Sequence, residues 1–368
     1  MNDLTASLTI KAPGKLMVAG EFAVLEPYQK LAVMAVDRFA YATISLSDQP
    51  LLTLENFQLD RLQWEYRKNK VTVASNDPRV RFVESAMTVT LHYLQEAQIA
   101  WQPFFLSIKS ELDDASGKKY GLGSSAAVSV SVITAILQQF MQKKPDAELV
   151  FRLSAISHAK TQGNGSGADV AASAFGGIIA YSSFQAYWLK DAYQQAPDLL
   201  TLLKMDWPYL SIQPVALPEN IHVCIGWTGS PASTAKLVDE VLQLKEDNPP
   251  AFSRFLKESE IAVSQFMDGL QRENPQTLID SVKLNRKALH TVGEAANVPI
   301  QTPELAKLCD LAEYYGGAGK PSGAGGGDCG IAFMPTAESA AQLRIAWEKA
   351  GIKALDLHVS STGAAVIK

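Results

Sequence analysis

Apolar positions along this chain follow two rhythms, and the places where one gives way to the other outline its elements. Residues 8–11, 40–47, 61–66 and 104–109 are short, partly alternating and rich in β-branched and aromatic side chains, a pattern that predicts strands. Residues 79–98 and 149–159 instead repeat apolar side chains at helical spacing. Residues 126–141 are dense in Ala, Val, Ile and Leu, which predicts a buried helix. Gly176-Gly177 turns the chain into an apolar strand at 178–181.

The second half repeats the mixture after an interruption. Between residues 191 and 220 the pattern weakens, broken by Pro197, Pro208, Pro214 and Pro218, and a domain boundary is expected there, dividing 1–205 from 206–368. Residues 221–227 predict a strand, and 252–270 and 276–296 predict helices. Thr302-Pro303-Glu304 has the composition of a helix start, with Thr302 as cap and Pro303 in the first turn. The chain closes with a strand at 329–334, a helix at 337–350 and a strand at 364–367. This is an α+β arrangement of packed layers.

Composition narrows the function classes. At 368 residues, with 47% hydrophobic and 19% charged positions, the chain suits two globular domains with a large core. Cys224, Cys309 and Cys329 are too few and too scattered for a disulfide framework or a zinc site, so buried thiols in a reducing compartment are expected. A formal net charge of −5 argues against a general nucleic-acid binder but does not oppose anionic metabolites. No apolar run approaches the ~18 residues of a membrane span, and no secretory leader pattern opens the chain. A cytoplasmic protein, monomeric or homodimeric and with no membrane partner, is the expectation.

The chemistry concentrates in Lys118-Lys119-Tyr120-Gly121-Leu122-Gly123-Ser124-Ser125-Ala126-Ala127. Its glycines allow positive φ and close approach of bare N–H groups, while Ser124 or Ser125 opens the buried helix, where orphan N–H groups and the helix dipole favour phosphate. A Walker A loop is excluded, because Gly14-Lys15 and Gly319-Lys320 are followed by Leu16 and Pro321 instead of Ser or Thr. Gly121-x-Gly123-x-x-Ala126 fits a loose dinucleotide fingerprint, but the helix runs through the place where that fold needs its second strand. Two more glycine clusters, Gly163-Asn164-Gly165-Ser166-Gly167-Ala168-Asp169 and Ser322-Gly323-Ala324-Gly325-Gly326-Gly327-Asp328, join Pro13-Gly14-Lys15 near the start. Each alone reads as a loop; together they exceed what turns require.

The set resembles the GHMP kinase superfamily over nearly the whole chain. Lys11-Ala12-Pro13-Gly14-Lys15 with Gly20-Glu21-Phe22-Ala23-Val24-Leu25 is similar to its first motif, 121–127 to its ATP phosphate loop, and Gly323 to Gly327 with Asp328-Cys329 to its third, glycine-rich motif. The resemblance implies an N-terminal domain like the second domain of ribosomal protein S5 and a C-terminal ferredoxin-like domain, with ATP and substrate between them. Within the family, His158-Ala159-Lys160-Thr161-Gln162-Gly163, the lysines before the phosphate loop, and Gly226-Trp227-Thr228-Gly229-Ser230-Pro231-Ala232-Ser233 look most like the branch whose acceptor is phosphomevalonate. Mevalonate kinases carry a magnesium-binding Glu eleven residues before their catalytic Asp; here Asp169 matches the Asp and His158 stands in place of the Glu.

The expected roles follow from the resemblance and from charge. Lys118, Gly121, Leu122, Gly123, Ser124, Ser125 and Ala126 would hold ATP, and Mg2+ would rest on nucleotide oxygens with Ser125 and Asp169. Bringing two polyanions together calls for cations more than for a base, so Lys15 and Lys119 are expected beside Asp169 in the chemistry. Lys15, Glu21, His158, Ser166 and Gly167 would face the acceptor. So would Thr228, Ser230 and Ser233, and Ser322, Gly323, Ala324, Gly325 and Asp328. Simpler roles stay open: Lys15 as a turn lysine, Lys118-Lys119 as a solvated pair, His158 as a core histidine, and Thr228, Ser230 and Ser233 as helix caps. Another small-molecule kinase of the family, a decarboxylase and a non-catalytic ligand sensor on the same fold are the alternative functions.

Overall fold

The computed structural model describes residues 7–114, 118–163, 165–231 and 234–367. Strands β1 (Leu8–Ala19), β2 (Lys30–Leu46), β3 (Leu51–Leu54), β4 (Leu59–Arg67) and β5 (Lys70–Val73) lead into helix α1 (Arg81–Glu96) and strand β6 (Phe104–Ser110). Helices α2 (Ser124–Phe140), α3 (Ala147–Gln162) and α4 (Ala168–Phe175) follow, then β7 (Ile178–Ser182), α5 (Ala186–Gln195), α6 (Leu199–Lys204) and β8 (Ser211–Val215). Among the described residues one sheet runs β13-β1-β2-β6-β3-β4-β5, where β13 (Ala365–Val366) is the chain's last strand, and β7 branches from β2 to carry β8. The β3–β6 pair is parallel and the other pairs are antiparallel. β2 is long enough to pair with β7 through its first half and β6 through its second.

The second layer begins at β9 (His222–Trp227) and continues through α7 (Thr234–Asp247), α8 (Pro249–Gln271), α9 (Pro275–Ala296) and α10 (Pro303–Tyr314). β10 (Ala318–Pro321), β11 (Cys329–Met334), α11 (Ala337–Lys349) and β12 (Lys353–Leu355) complete it, and its antiparallel sheet runs β10-β11-β9-β12. Helix starts here carry side-chain caps: Asn248, Asn274, Thr302 and Thr336 each accept from a backbone N–H of the first turn. Leu16, Val18 and Met34 of the first sheet share one buried cluster with Ile225, Phe266, Ile331 and Phe333 of the second layer. Each such side chain contributes about 1.5–3 kcal/mol on burial, so a hydrophobic core and not a polar seam joins the layers.

Two departures from the sequence pattern have local causes. Residues 211–215 form a strand despite Pro214, because β8 lies at the sheet edge and pairs only with β7, so no second partner needs the missing N–H. Pro13-Gly14-Lys15 is no surface turn: it lies inside β1, with a bulge between Pro13 and Gly14. Residues on both sides of position 205 build the larger sheet, since β8 and β13 join it. Cys224, Cys309 and Cys329 are buried free thiols.

Candidate active site

Lys15 is placed by its own strand. A side chain on Gly14 would meet Leu112 Cδ2 at 2.6 Å and the Leu122 carbonyl at 2.8 Å, so only glycine lets the phosphate loop lie against β1. Lys15 N donates to Leu122 O at 2.8 Å and Lys15 Nζ donates to Gly121 O at 3.0 Å. The side chain is 9% exposed. Its cation therefore sits at the loop and not in bulk solvent, where it would be screened.

Gly123 and Gly167 start α2 and α4 in the left-handed conformation, with φ of 75° and 78°. Neither glycine has a side chain to cap its helix; among the described residues this leaves the first-turn N–H groups of α2 for an anion, whereas at α4 Ser166 Oγ accepts from Ala168 N at 3.3 Å and Asp169 from Val170 N. A Cβ on Gly123 would lie 3.0 Å from Lys15 Cγ, 3.1 Å from Lys15 Cε and 3.6 Å from Asp169 Cβ, so that glycine is the close meeting point of cation and carboxylate. Asp169 Oδ1 accepts from Val170 N at 2.9 Å, and its Oδ2 lies 3.9 Å from His158 Nε2. The same His158 nitrogen is 3.2 Å from Ser125 Oγ. Ser125, His158 and Asp169 thus form one cluster, with His158 only 4% exposed. Ser166, just before Gly167, accepts at its carbonyl from Tyr181 OH at 2.6 Å and Ser183 Oγ at 3.0 Å. Burial first, and the Asp169 charge second, push the Tyr181 phenol well above its ordinary pKa and keep it a donor.

The third glycine loop reaches β1 and the phosphate loop from the second layer. Ser322 Oγ accepts from Met17 N and donates to Met17 O, both at 2.9 Å, tying the loop to the strand two residues past Lys15. Asp328 at the loop's far end abuts Gly121, where a Cβ would meet Asp328 Oδ2 at 2.7 Å. Thr228 donates to Asp328 O through both its N–H (3.0 Å) and its hydroxyl (3.1 Å), and Ser230 O accepts from Asp328 N at 2.7 Å. Lys118 and Lys119 are exposed beside the phosphate loop, with Lys118 Nζ 3.5 Å from Gly229 O. Gly323, at φ 81°, opens onto empty space, whereas Ala324 and Gly325 turn toward Ile300 and its apolar neighbours. Ser233 lies outside the described residues, as does Asn164.

Glu21 has a different setting from the other expected site residues. One of its oxygens is held by the Lys320 ammonium and the other accepts from Asn285 Nδ2 at 3.0 Å, in a site where Glu21 and Lys320 are 1% and 0% exposed. Sequence reasoning missed Lys320 and Asn285. The available signal was a lysine between Gly319 and Pro321, directly before a glycine cluster, in a strand otherwise without charge.

Comparison with known proteins shows the family. The profile described as GHMP kinases N terminal domain matches residues 82–177, and GHMP kinases C terminal matches 266–353. A phosphomevalonate kinase from Streptomyces sp. (strain CL190) is 33% identical, covering 96% of this chain and 97% of its own. A crystal structure of a Lin0012 protein from Listeria innocua superposes with a TM-score of 0.92 at 36% identity, covering 99% of this chain and 100% of that one. The Streptococcus pneumoniae phosphomevalonate kinase in complex with phosphomevalonate and AMPPNP superposes with a TM-score of 0.83 at 28% identity, over 96% and 100% of the two chains.

Proposed function

This chain belongs to the GHMP kinase family, and on that premise we propose how its residues divide the work of moving a phosphoryl group. It is an ATP-dependent kinase whose acceptor is phosphomevalonate, giving diphosphomevalonate and ADP. The observation that carries the residue roles is the meeting of Lys15, the 121–125 loop and Asp169 at the glycine-started ends of α2 and α4. Residues 1–205 supply the nucleotide loop, and residues 206–368 supply the glycine loop and the 228–230 segment that face it.

A phosphate monoester has a second pKa near ~6 and is mostly dianionic at neutral pH. Its oxygen is already a nucleophile and needs no base. It attacks the γ-phosphorus, the bond from that phosphorus to the β–γ bridging oxygen breaks, and ADP leaves with the electron pair. The obstacle is charge: like charges a few Å apart cost several kcal/mol even at an effective dielectric of ~20. Lys15 offsets that repulsion between the transferring group and the acceptor, while the first-turn N–H groups of α2 cradle the nucleotide phosphates. Lys119 and Lys118 add positive charge at the loop mouth. Asp169 orients this arrangement and accepts no proton from the acceptor.

Mg2+ fits the donors present. Asp169 offers one carboxylate and Ser125 one hydroxyl, the sparse protein share typical of a magnesium ion that takes further oxygens from a nucleotide. Among the described residues no cluster of three or more His, Cys, Asp or Glu could cage a metal without such help. When bound, the ion neutralises and orients the β- and γ-phosphate oxygens.

The test is product identity. Incubated with ATP, magnesium and phosphomevalonate, the protein should convert the acceptor's monoester phosphorus NMR signal into a coupled diphosphate pair, with ADP formed one for one. ADP formation without a new diphosphate would overturn the assignment.

A further inference from the structure

Lys320 and Glu21 form an ion pair that the reaction above does not use. Glu21 follows Gly20 at the end of the strand that carries Lys15, and Lys320 ends two residues before the glycine loop proper. Gly20 holds its own place because a Cβ there would lie 2.3 Å from Lys30 O, and its N–H donates to Asn285 Oδ1 at 3.3 Å. Asn285 on α9 therefore grips both Gly20 and Glu21. Beside this cluster, the Ser322 hydroxyl bridges both backbone groups of Met17. The first-motif strand and the glycine loop are thus pinned at two points, on either side of Pro321.

A pair of charges in this position is a costly way to gain stability. Burial pushes the Lys320 ammonium below its ordinary pKa, with the Glu21 carboxylate opposing the shift. Buried ion pairs are often no more stabilising than apolar residues of the same volume, though breaking one partner leaves an uncompensated charge. What such a pair supplies that an apolar contact does not is direction: one carboxylate, two donors and a fixed register.

We propose that Glu21 and Lys320, with Asn285, are positioning residues that hold the 322–328 loop in register with Lys15, so that acceptor-side groups lie in line with the transferring phosphoryl group. The inference rests on the kinase function proposed above. It assigns Glu21 to the loop clasp and not to direct contact with the acceptor. Because the clasp acts on the acceptor side, its loss should fall on phosphomevalonate and turnover and spare ATP.

The experiment compares wild type, Glu21→Gln, Lys320→Met and the double variant by thermal melting and by steady-state kinetics with each substrate varied. Each single variant should melt several degrees lower. The double variant, with neither charge left unpaired, should regain most of that loss. Its kcat should nevertheless stay about 10–100-fold down, the cost of small misalignment, with KM for phosphomevalonate raised and KM for ATP unchanged. A double variant that regains both melting temperature and full kcat would make the pair merely structural and overturn the proposal, as would a KM rise shared equally by ATP. Should the double variant fail to fold, Asn285→Ala decides on the same split: a raised KM for phosphomevalonate alone supports the clasp, and unchanged kinetics overturn it. Wild-type turnover of phosphomevalonate, measured alongside, separates failure of this inference from failure of the assigned function.

Discussion

Lys15 Nζ donates to the Gly121 carbonyl at 3.0 Å, which puts a nearly buried cation from the first strand directly on the phosphate loop. If its charge is what lets two anions meet, Lys15→Met should lower kcat by about 10²–10³, the usual effect of removing one preorganised stabiliser. The melting temperature should change little, because among the described residues Lys15 forms no ion pair whose partner would be stranded. Steady-state kinetics with a thermal melt check both halves.

Asp169 orients and does not act as a base in this mechanism. Asp169→Asn should therefore reduce kcat about 10²-fold while leaving the shape of the pH–rate profile near neutrality intact. A limb that vanishes in the variant would restore the base. The profile of wild type and variant, recorded with saturating ATP and phosphomevalonate, decides.

Gly121 and Gly323 both have positive φ, 82° and 81°, but their surroundings differ. A methyl on Gly121 would strike Asp328, whereas one on Gly323 would enter open space. Gly121→Ala should carry the left-handed backbone cost of about 1–2 kcal/mol plus that collision, and raise KM for ATP. Gly323→Ala should show the backbone cost alone. Chemical denaturation of the two variants isolates the crowding term.

The Ser125–Asp169 donor pair predicts dependence on magnesium. Chelation with EDTA should abolish turnover, and added magnesium should restore it. Ser125→Ala should raise the magnesium concentration that gives half-maximal rate, read from a titration at fixed ATP.

Legibility in the sequence tracked distance along the chain. The strand at 329–334 and the cap at Thr302 were readable because periodicity and capping act over a few residues. The phosphate loop was readable because its glycines, serines and following helix are contiguous. α6 and β8 were not, since prolines between 197 and 218 mask a short helix and an edge strand that tolerates Pro214. The Ser125–His158–Asp169 cluster was visible as separate motif residues, but its contacts were not. Glu21 and Lys320 lie 299 positions apart, and no local pattern pairs residues at that separation. Their link depends on β1 and β10 coming together in the fold.

The most direct measurement of the central claim is a coupled ADP-release assay offering phosphomevalonate, mevalonate, homoserine and galactose side by side. The account predicts a kcat/KM for phosphomevalonate at least about 10²-fold above the others, because the proposed mechanism balances the charge of two phosphates and uses no base to activate an alcohol. Turnover of mevalonate with none of its phosphate would contradict it.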